Sequence, residues 1–475
     1  MSQLTQRLIG VVPSARQLKW HELKFYSFIH FGINTFYDSE WGYGTEDPAC
    51  FNPTQLDTDQ WVVSLKKAGI KAVILTCKHH DGFCLWPSAY TEHSVKNSPY
   101  KKGQGDVVRE LSESCKKYDL KFGVYLSPWD RHDVRYGDSE AYNDYFIDQL
   151  TELLTSYGEL FSVWFDGACG EGPNGKKQVY DWKRYYEHIR KLQPEAAITI
   201  CGPDVRWCGN EAGDCRESEW NVVPSRLAIP DYVAENSQQQ DDEAFRERTV
   251  KHKDQDLGSR EILEKEYNLI WYPAEVDTSI RPGWFYHKEE DEAVKPLEKL
   301  IDIYYNSVGG NATLLLNIPP DKRGLIHEND VKRLEEIGKY IEKTFSNDMI
   351  TKAHITVDSE ETLHSVESVK VDDPSYFKTP DGVESVNVTF AFDKVYPINH
   401  VVLEEQIALS QRIESFEVWI REDSEMKKVY TGTTVGSCRI CKFDTVQTQQ
   451  VILKILESRV APTLKKVGIF TDSEI

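Results

Sequence analysis

The chain has 475 residues, 40% of them hydrophobic, and 12% are aromatic, with 12 Trp and 24 Tyr. That is too long for one compact core, so two domains are expected, the larger a barrel that takes most of the length. A formal charge of −21, from 56 basic and 77 acidic residues, disfavours nucleic acid and anionic lipid and favours a neutral substrate over a polyanion.

MSQLTQRLIGVVPSARQLKW holds no apolar signal core, and no run of 18 apolar residues occurs anywhere. The expectation is a cytoplasmic protein with no membrane and no nucleic-acid partner. The ten cysteines are then free thiols. Cys77, Cys115 and Cys201 fall in predicted strands or helices as small core residues. Cys438 and Cys441 form a lone CxxC without a second ligand pair, so no metal site is expected.

In chain order, KFYSFIHFG is a strand ending near Gly32, and DTDQWVVSLKKAG is a helix capped at Asp57 or Thr58 and stopped by Gly69. KAVILTC (71–77) is a continuous apolar run, as suits a strand covered on both faces. GDVVRELSESCKKYD is helical, KFGVYLS (121–127) is a strand and NDYFIDQLTELLTSYG is a long amphipathic helix. LFSVWFDG (160–167) is a fourth strand, and YDWKRYYEHIRKLQP leads into a fifth at AAITICGP. Residues 214–265 are polar and carry no clear pattern. NLIWYPAEV and ATLLLNIPP are the last strands, and HENDVKRLEEIGKYIEKTF is the closing helix. Repeated βα units with buried strands predict a parallel (β/α)8 TIM-like barrel over 1–346. A doubly wound sheet would need a Gly-rich phosphate loop after strand one, and FIHFGINTF is not one. From 347 to 475 the pattern turns to period-two alternation with turn residues. It predicts an all-β sandwich, of jelly-roll or galactose-binding-like type.

Barrel chemistry gathers at the carboxyl ends of strands. His30 and Trp41 follow strand one, and His79, His80 and Asp81 follow strand two. Tyr125 and Trp129 end strand three, and Asp166 ends strand four. Glu211 follows strand five, in RWCGNEAG. Asp166 is the most specific of these. A carboxylate at the end of a buried strand, beside Trp164 and Phe165, must be hydrogen-bonded or functional. A structural Asp capping the turn at Gly167 is the plainer alternative. Adjacent side chains on an extended strand point to opposite faces, so His79 and His80 are not expected to share a metal. Hydroxyl recognition suits them better, with one of the two a satisfied core histidine as the alternative. Glu211 lies on a loop bracketed by Gly209 and Gly213, with Asp214, Glu217 and Glu219 nearby. On local grounds alone it reads as part of a solvated loop.

FIHFGINTF, EWGYG, KHHDGF, GVYLSPWD, VWFDGA and LLLNIPPDKRGLI resemble, in order and over roughly residues 20–345, the retaining α-L-fucosidases of glycoside hydrolase family 29. The resemblance implies a barrel carrying a β-sandwich and a fucosylated oligosaccharide as substrate. It makes Asp166 the nucleophile, and places His30, Glu40, Trp41, His79, His80, Tyr125 and Trp164 around the fucose. Trp284, in RPGWFYH, packs on the C5 methyl. GNEAG, with Glu211 45 positions after Asp166, is similar to the acid/base segment of the branch cleaving α-1,3 and α-1,4 linkages, as in Lewis-type glycans. Retention then needs the Asp166 carboxylate to attack the anomeric carbon and Glu211 to give and later take a proton. Glu211 would need a raised pKa. No metal and no organic cofactor is implied. The alternatives are a retaining glycosidase of different specificity on the same barrel, and a catalytically inactive glycan-binding protein.

Overall fold

The computed structural model describes residues 2–238, 240, 242, 248, 256–422 and 425–471. Eight parallel strands form one sheet: β1 (Phe25–Ile29), β2 (Ala72–Lys78), β3 (Lys121–Leu126), β4 (Ser162–Phe165), β5 (Ala197–Ile200), β6 (Arg206–Trp207), β7 (Ala274–Ser279) and β8 (Thr313–Asn317). Their order is β5-β4-β3-β2-β1-β8-β7-β6, and a bridge between Thr199 and Val205 joins the two edges into a barrel. Strands β1, β2 and β4 are buried along their whole length, which is why they read as unbroken apolar runs.

The outer helices are α1 (Thr58–Lys67), α2 (Val107–Lys117), α3 (Ser139–Ser156), α4 (Trp182–Leu192), α5 (Leu297–Ser307) and α6 (Glu328–Phe345). The first four each start on an aspartate. Asp57, Asp106, Asp138 and Asp181 accept from the backbone N–H three residues on, filling a donor the helix leaves unpaired. The cap of α1 is thus Asp57, and Gly69 takes φ +81° where that helix stops.

The barrel departs from the expected alternation after β5. No helix separates β5 from β6. Ile200 takes φ +68°, an uncommon conformation for a β-branched residue, and the chain doubles back within five residues. The turn is held by Asp204, whose carboxylate accepts from Ile198 N at 2.7 Å and pairs with Arg190 of α4. The segment NLIWYPAEV also divides. Leu269–Trp271 pairs antiparallel with Val222–Pro224, and the barrel strand begins only at Ala274, after Pro273. The stretch 214–265 contains the short helices Pro230–Asn236 and Arg260–Glu264; its positions 239, 241, 243–247 and 249–255 lie outside the described residues.

Beyond α6 the chain forms an antiparallel sheet of β9 (His354–Val357), β10 (Val386–Glu404), β11 (Ile413–Glu422), β12 (Glu425–Gly432), β13 (Arg439–Ser458) and β14 (Lys466–Phe470). The two long strands, β10 and β13, are bent where their register shifts between Ala391 and Tyr396. One half of β10 pairs with β9 and the other with β14. Strands shared in this way build two layers around one core that includes Val388, Phe390, Val401, Phe416, Val451 and Ile469. Among the described residues no helix is long and apolar enough to cross a membrane.

One buried ion pair ties the barrel's working end together. Lys78, the last residue of β2, lies 2.9 Å from Asp130 in the loop after β3, both side chains being at most 1% exposed. Gln149 of α3 accepts a second bond from Lys78, and Asp130 accepts from His132 N and Asp133 N. Burial would raise the Asp130 pKa, but the Lys78 charge and these donors leave it below the ordinary value. Asp130→Asn strands a buried ammonium and should cost about 3–5 kcal/mol in urea unfolding at neutral pH. Because the folded carboxyl is depressed, the wild-type advantage should shrink as pH falls below the unfolded Asp value. A loss within the scatter of surface substitutions would contradict this role.

Candidate active site

The carboxyl ends of the strands surround a cavity that is open to solvent. His30, Glu40, Trp41, His79, His80, Tyr125, Trp164, Asp166, Glu211 and Trp284 all line it. The structure brings these ten together; of the other rim candidates, Asp81 accepts from Phe83 N and Trp129 meets Trp41 edge-on, and neither is part of the cavity lining.

Asp166 lies one residue past β4 with its side chain 23% exposed. Its Oδ2 accepts from the Tyr125 hydroxyl at 2.9 Å and its Oδ1 from Ala168 N at 2.8 Å. Burial raises its pKa against these donors. The side chain does cap the turn at Gly167, and it also faces the cavity. Tyr125 stacks on Trp164, and the Trp164 indole donates to Glu275 at 2.7 Å. Glu275 also accepts from Tyr26 and is pushed up to about 7 by burial.

Three neutral histidines form one wall. His30 Nδ1 meets Asn317 Oδ1 at 2.8 Å, and burial lowers its pKa to about 4. His80 Nδ1 meets Ser127 Oγ at 2.7 Å; burial, then Arg131, lowers its pKa to about 3. At 3.8 Å from Asp166 a neutral ring is a weak polar contact, not an ion pair. His79 is lowered further by burial, and among the described residues its Nδ1 meets no partner. The expectation of opposite faces is corrected here: the two rings lie 4.1 Å apart and both line the cavity. Strand β2 ends at Lys78, so the strict alternation of a strand no longer governs His79 and His80. Gly82, at φ +78°, closes this turn, and a Cβ there would sit 2.5 Å from Asp130 Oδ1. Among the described residues no group of three His, Cys, Asp or Glu gathers as a metal site.

Glu40 acts on the loop after β7. It accepts from Trp284 N at 2.8 Å, Phe285 N at 3.0 Å and His287 Nε2 at 2.8 Å. The bond to Glu40, against burial and aided by Asp38, raises His287 to about 9. Trp284, placed by these contacts, tilts over His30 at 5.1 Å and donates its indole N–H to Glu211 Oε2 at 3.2 Å. Trp41 meets His80 and Trp129 edge-on.

Glu211 follows β6, not the fifth strand as the sequence pattern suggested, because the two-residue β6 carries too little periodicity to be read. Asn210 shapes its loop by accepting from Ala212 N and Asp214 N. The neighbouring acids are placed elsewhere. Glu219 is fully buried against Arg206 and Arg216, Asp204 pairs with Arg190, and Asp214 and Glu217 line a separate groove toward the sandwich. That groove marks where the second domain grips the loop. Gln411 accepts from Asn221 N and donates to Glu219 O, Arg439 donates to Glu217 O, and Ser218 donates to Thr433.

Trp207, Asp277, Phe28, Ser237 and Gln238 also line the cavity, and sequence reasoning missed them. Glu275 and Asp277 were legible as acids two apart on a strand, hence on one face. The reading of NLIWYPAEV stopped at Val276, before the second of them.

A parallel barrel whose strand ends gather carboxyls, neutral imidazoles and indole faces around one cavity defines a glycoside hydrolase. The profile of the α-L-fucosidase family matches residues 14–345, and the chain belongs to that family. It is 40% identical over 471 residues to α-L-fucosidase 1 of Arabidopsis thaliana, covering 97% of this chain and 88% of that one. A Bacteroides ovatus crystal structure provisionally described as an α-L-fucosidase superposes with a TM-score of 0.86 at 48% identity, over 100% of this chain and 77% of that one. A Ruminococcus gnavus family-29 fucosidase solved in complex with fucose gives 0.85 at 30% identity, over 98% and 95%.

Two outcomes check this architecture. Glu40→Gln should return His287 toward the ordinary histidine range, seen by NMR titration. In wild type the His287 contribution to stability should be complete below about pH 6.5 and fade as pH rises through about 9, since the folded pKa is the raised one. A His287 titration unmoved by the substitution would count against the pair. Gln411→Ala removes two bonds to the 208–221 loop. Amide exchange there should speed up roughly 10- to 100-fold, the range of about 1–3 kcal/mol, while β1–β4 keep their protection.

Proposed function

We propose that this protein removes α-1,3- and α-1,4-linked fucose from branched, Lewis-type glycans with retention of configuration. Asp166 is the nucleophile and Glu211 the acid/base. The observation that carries the reading is that Asp166 and Glu211, from different strands and 45 positions apart, line one cavity, while the other acids near Glu211 in sequence are tied up or turned away. The GNEAG context of Glu211 supports the linkage preference.

In the first step Asp166 attacks the anomeric carbon, the bond to the leaving oxygen breaks and Glu211 protonates that oxygen. In the second, Glu211 takes a proton from water, which displaces the Asp166 ester. Tyr125 and Ala168 N aim the Asp166 carboxylate. Neutral His30, His79 and His80 can each donate or accept toward sugar hydroxyls, and the His79 Nδ1, which no described residue engages, is available for one. Trp164 closes the floor, Trp41 flanks the ring and Trp284 offers an apolar face to the C5 methyl, with Glu40 holding it in place.

Asp166→Asn should lower kcat by roughly three or more orders of magnitude on 4-nitrophenyl α-L-fucoside. Glu211→Ala should abolish cleavage of a Lewis trisaccharide, whose sugar leaving group needs a proton. It should still form the glycosyl-enzyme from the aryl fucoside, and azide should restore turnover as a fucosyl azide of retained configuration. Rescue of an Asp214 or Glu217 variant instead, or an inverted azide product, would overturn the assignment.

A further inference from the structure

Four carboxyls line the cavity, Glu40, Asp166, Glu211 and Asp277, and the steps above leave Asp277 without a task. Asp277 lies in β7, two residues after Glu275, so both side chains point into the barrel. It is 4% exposed, lines the cavity, and accepts from the Trp207 indole N–H at 2.8 Å. Among the described residues no cation pairs with it. Arg248 lies over the Trp207 ring at 5.5 Å and reaches Gly209 O.

The charged and titratable groups around Asp277 narrow its role. His30, His79 and His80 are kept neutral by burial. Glu40 faces two backbone N–H groups and His287. Glu275 accepts from Tyr26 and Trp164, and Asp166 from Tyr125 and Ala168 N. Among the described residues, Glu211 and, more weakly, Glu275 act electrostatically on Asp277. Burial first, then these two carboxyls, hold it well above the ordinary Asp range. Two neighbouring carboxyls in a low-dielectric site resist double ionisation and titrate as a pair.

We propose that Asp277 is a positioning residue for the proton of the acid/base group: Asp277 and Glu211 share one proton, and the Asp277 charge sets how tightly Glu211 holds it. The proposal rests on Glu211 being the acid/base. In the resting site the pair carries one proton and Asp166 is ionised. When the glycosidic bond breaks, that proton goes to the leaving oxygen, Asp166 becomes a neutral ester and both members of the pair are carboxylates. Their mutual repulsion makes Glu211 a stronger base. It then takes a proton from the attacking water, the hydroxide oxygen bonds to the anomeric carbon, and Asp166 leaves as a carboxylate. One proton is back on the pair and charge is conserved throughout.

Asp277→Asn keeps an acceptor for Trp207 and removes the charge. For a Lewis trisaccharide, the alkaline limb of kcat/KM should move to lower pH by about one unit or more. For an aryl fucoside, whose departure needs no proton, the alkaline limb should stay in place. The infrared difference spectrum, wild type minus Asp277→Asn, at neutral pH should contain a protonated-carboxyl band, a readout that does not depend on turnover. Glu211→Gln separates the two ideas. If it abolishes the alkaline limb while Asp277→Asn leaves the limb unmoved, or lowers rates equally at all pH, the Asp277 proposal fails alone. If Glu211→Gln keeps a wild-type limb on the trisaccharide, the acid/base assignment fails and the proposal with it.

Discussion

The Lys78–Asp130 pair is the constraint from which the working end of the barrel follows. An ammonium with no exposed surface can be accommodated only if its counter-charge and its remaining donors are met, and here Asp130 and Gln149 meet them. That requirement locks the end of β2 to the loop after β3 and to α3. His79 and His80 begin immediately beyond the lysine, and Trp129 and Arg131 flank the aspartate. Gly82 is needed because the turn between them passes too close to Asp130 for a side chain. The KHHDGF and SPWD segments are thus two halves of one device, joined by a buried charge.

Around this frame the site separates charge by depth. Histidines on the wall are desolvated enough to remain neutral, so they offer hydrogen bonds without placing positive charge beside the sugar. His287 is the opposite case, carrying a proton because Glu40 and Asp38 bracket it. The result is an outer ion pair that fixes the Trp284 loop and an inner zone in which carboxyls dominate. Carboxyls crowded into such a zone differ in proton affinity according to their partners, which is the property double displacement needs.

The sandwich has a place in the same economy of contacts. The loop carrying Glu211 follows a strand of only two residues and cannot be rigid by pairing alone. Its far end, Glu217 to Asn221, is bonded by Arg439, Thr433 and Gln411 of the second domain, and the buried Glu219 carboxylate ties that same end to Arg206 of β6 and to Arg216. The second domain thereby reaches the cavity through the backbone of one loop.

Sequence alone determined the barrel and the change to an antiparallel sheet near residue 347, while several of the side chains that line the cavity, Glu40 and Trp284 among them, came only from the family resemblance. Buried parallel strands write themselves as apolar runs, and the residue after each run falls on the rim. It did not determine the course of the chain between Cys201 and Pro273. There β6 is too short for a period, β5 turns on a left-handed Ile200, and the hairpin strands look like part of β7. It also misplaced the relation of His79 to His80, since alternation holds only while a strand lasts. The roles of Asp277 and His287 were hidden for a different reason. Their importance comes from neighbours 66 and 247 positions away in the chain, Glu211 and Glu40, and proximity of that kind exists only once the barrel has closed.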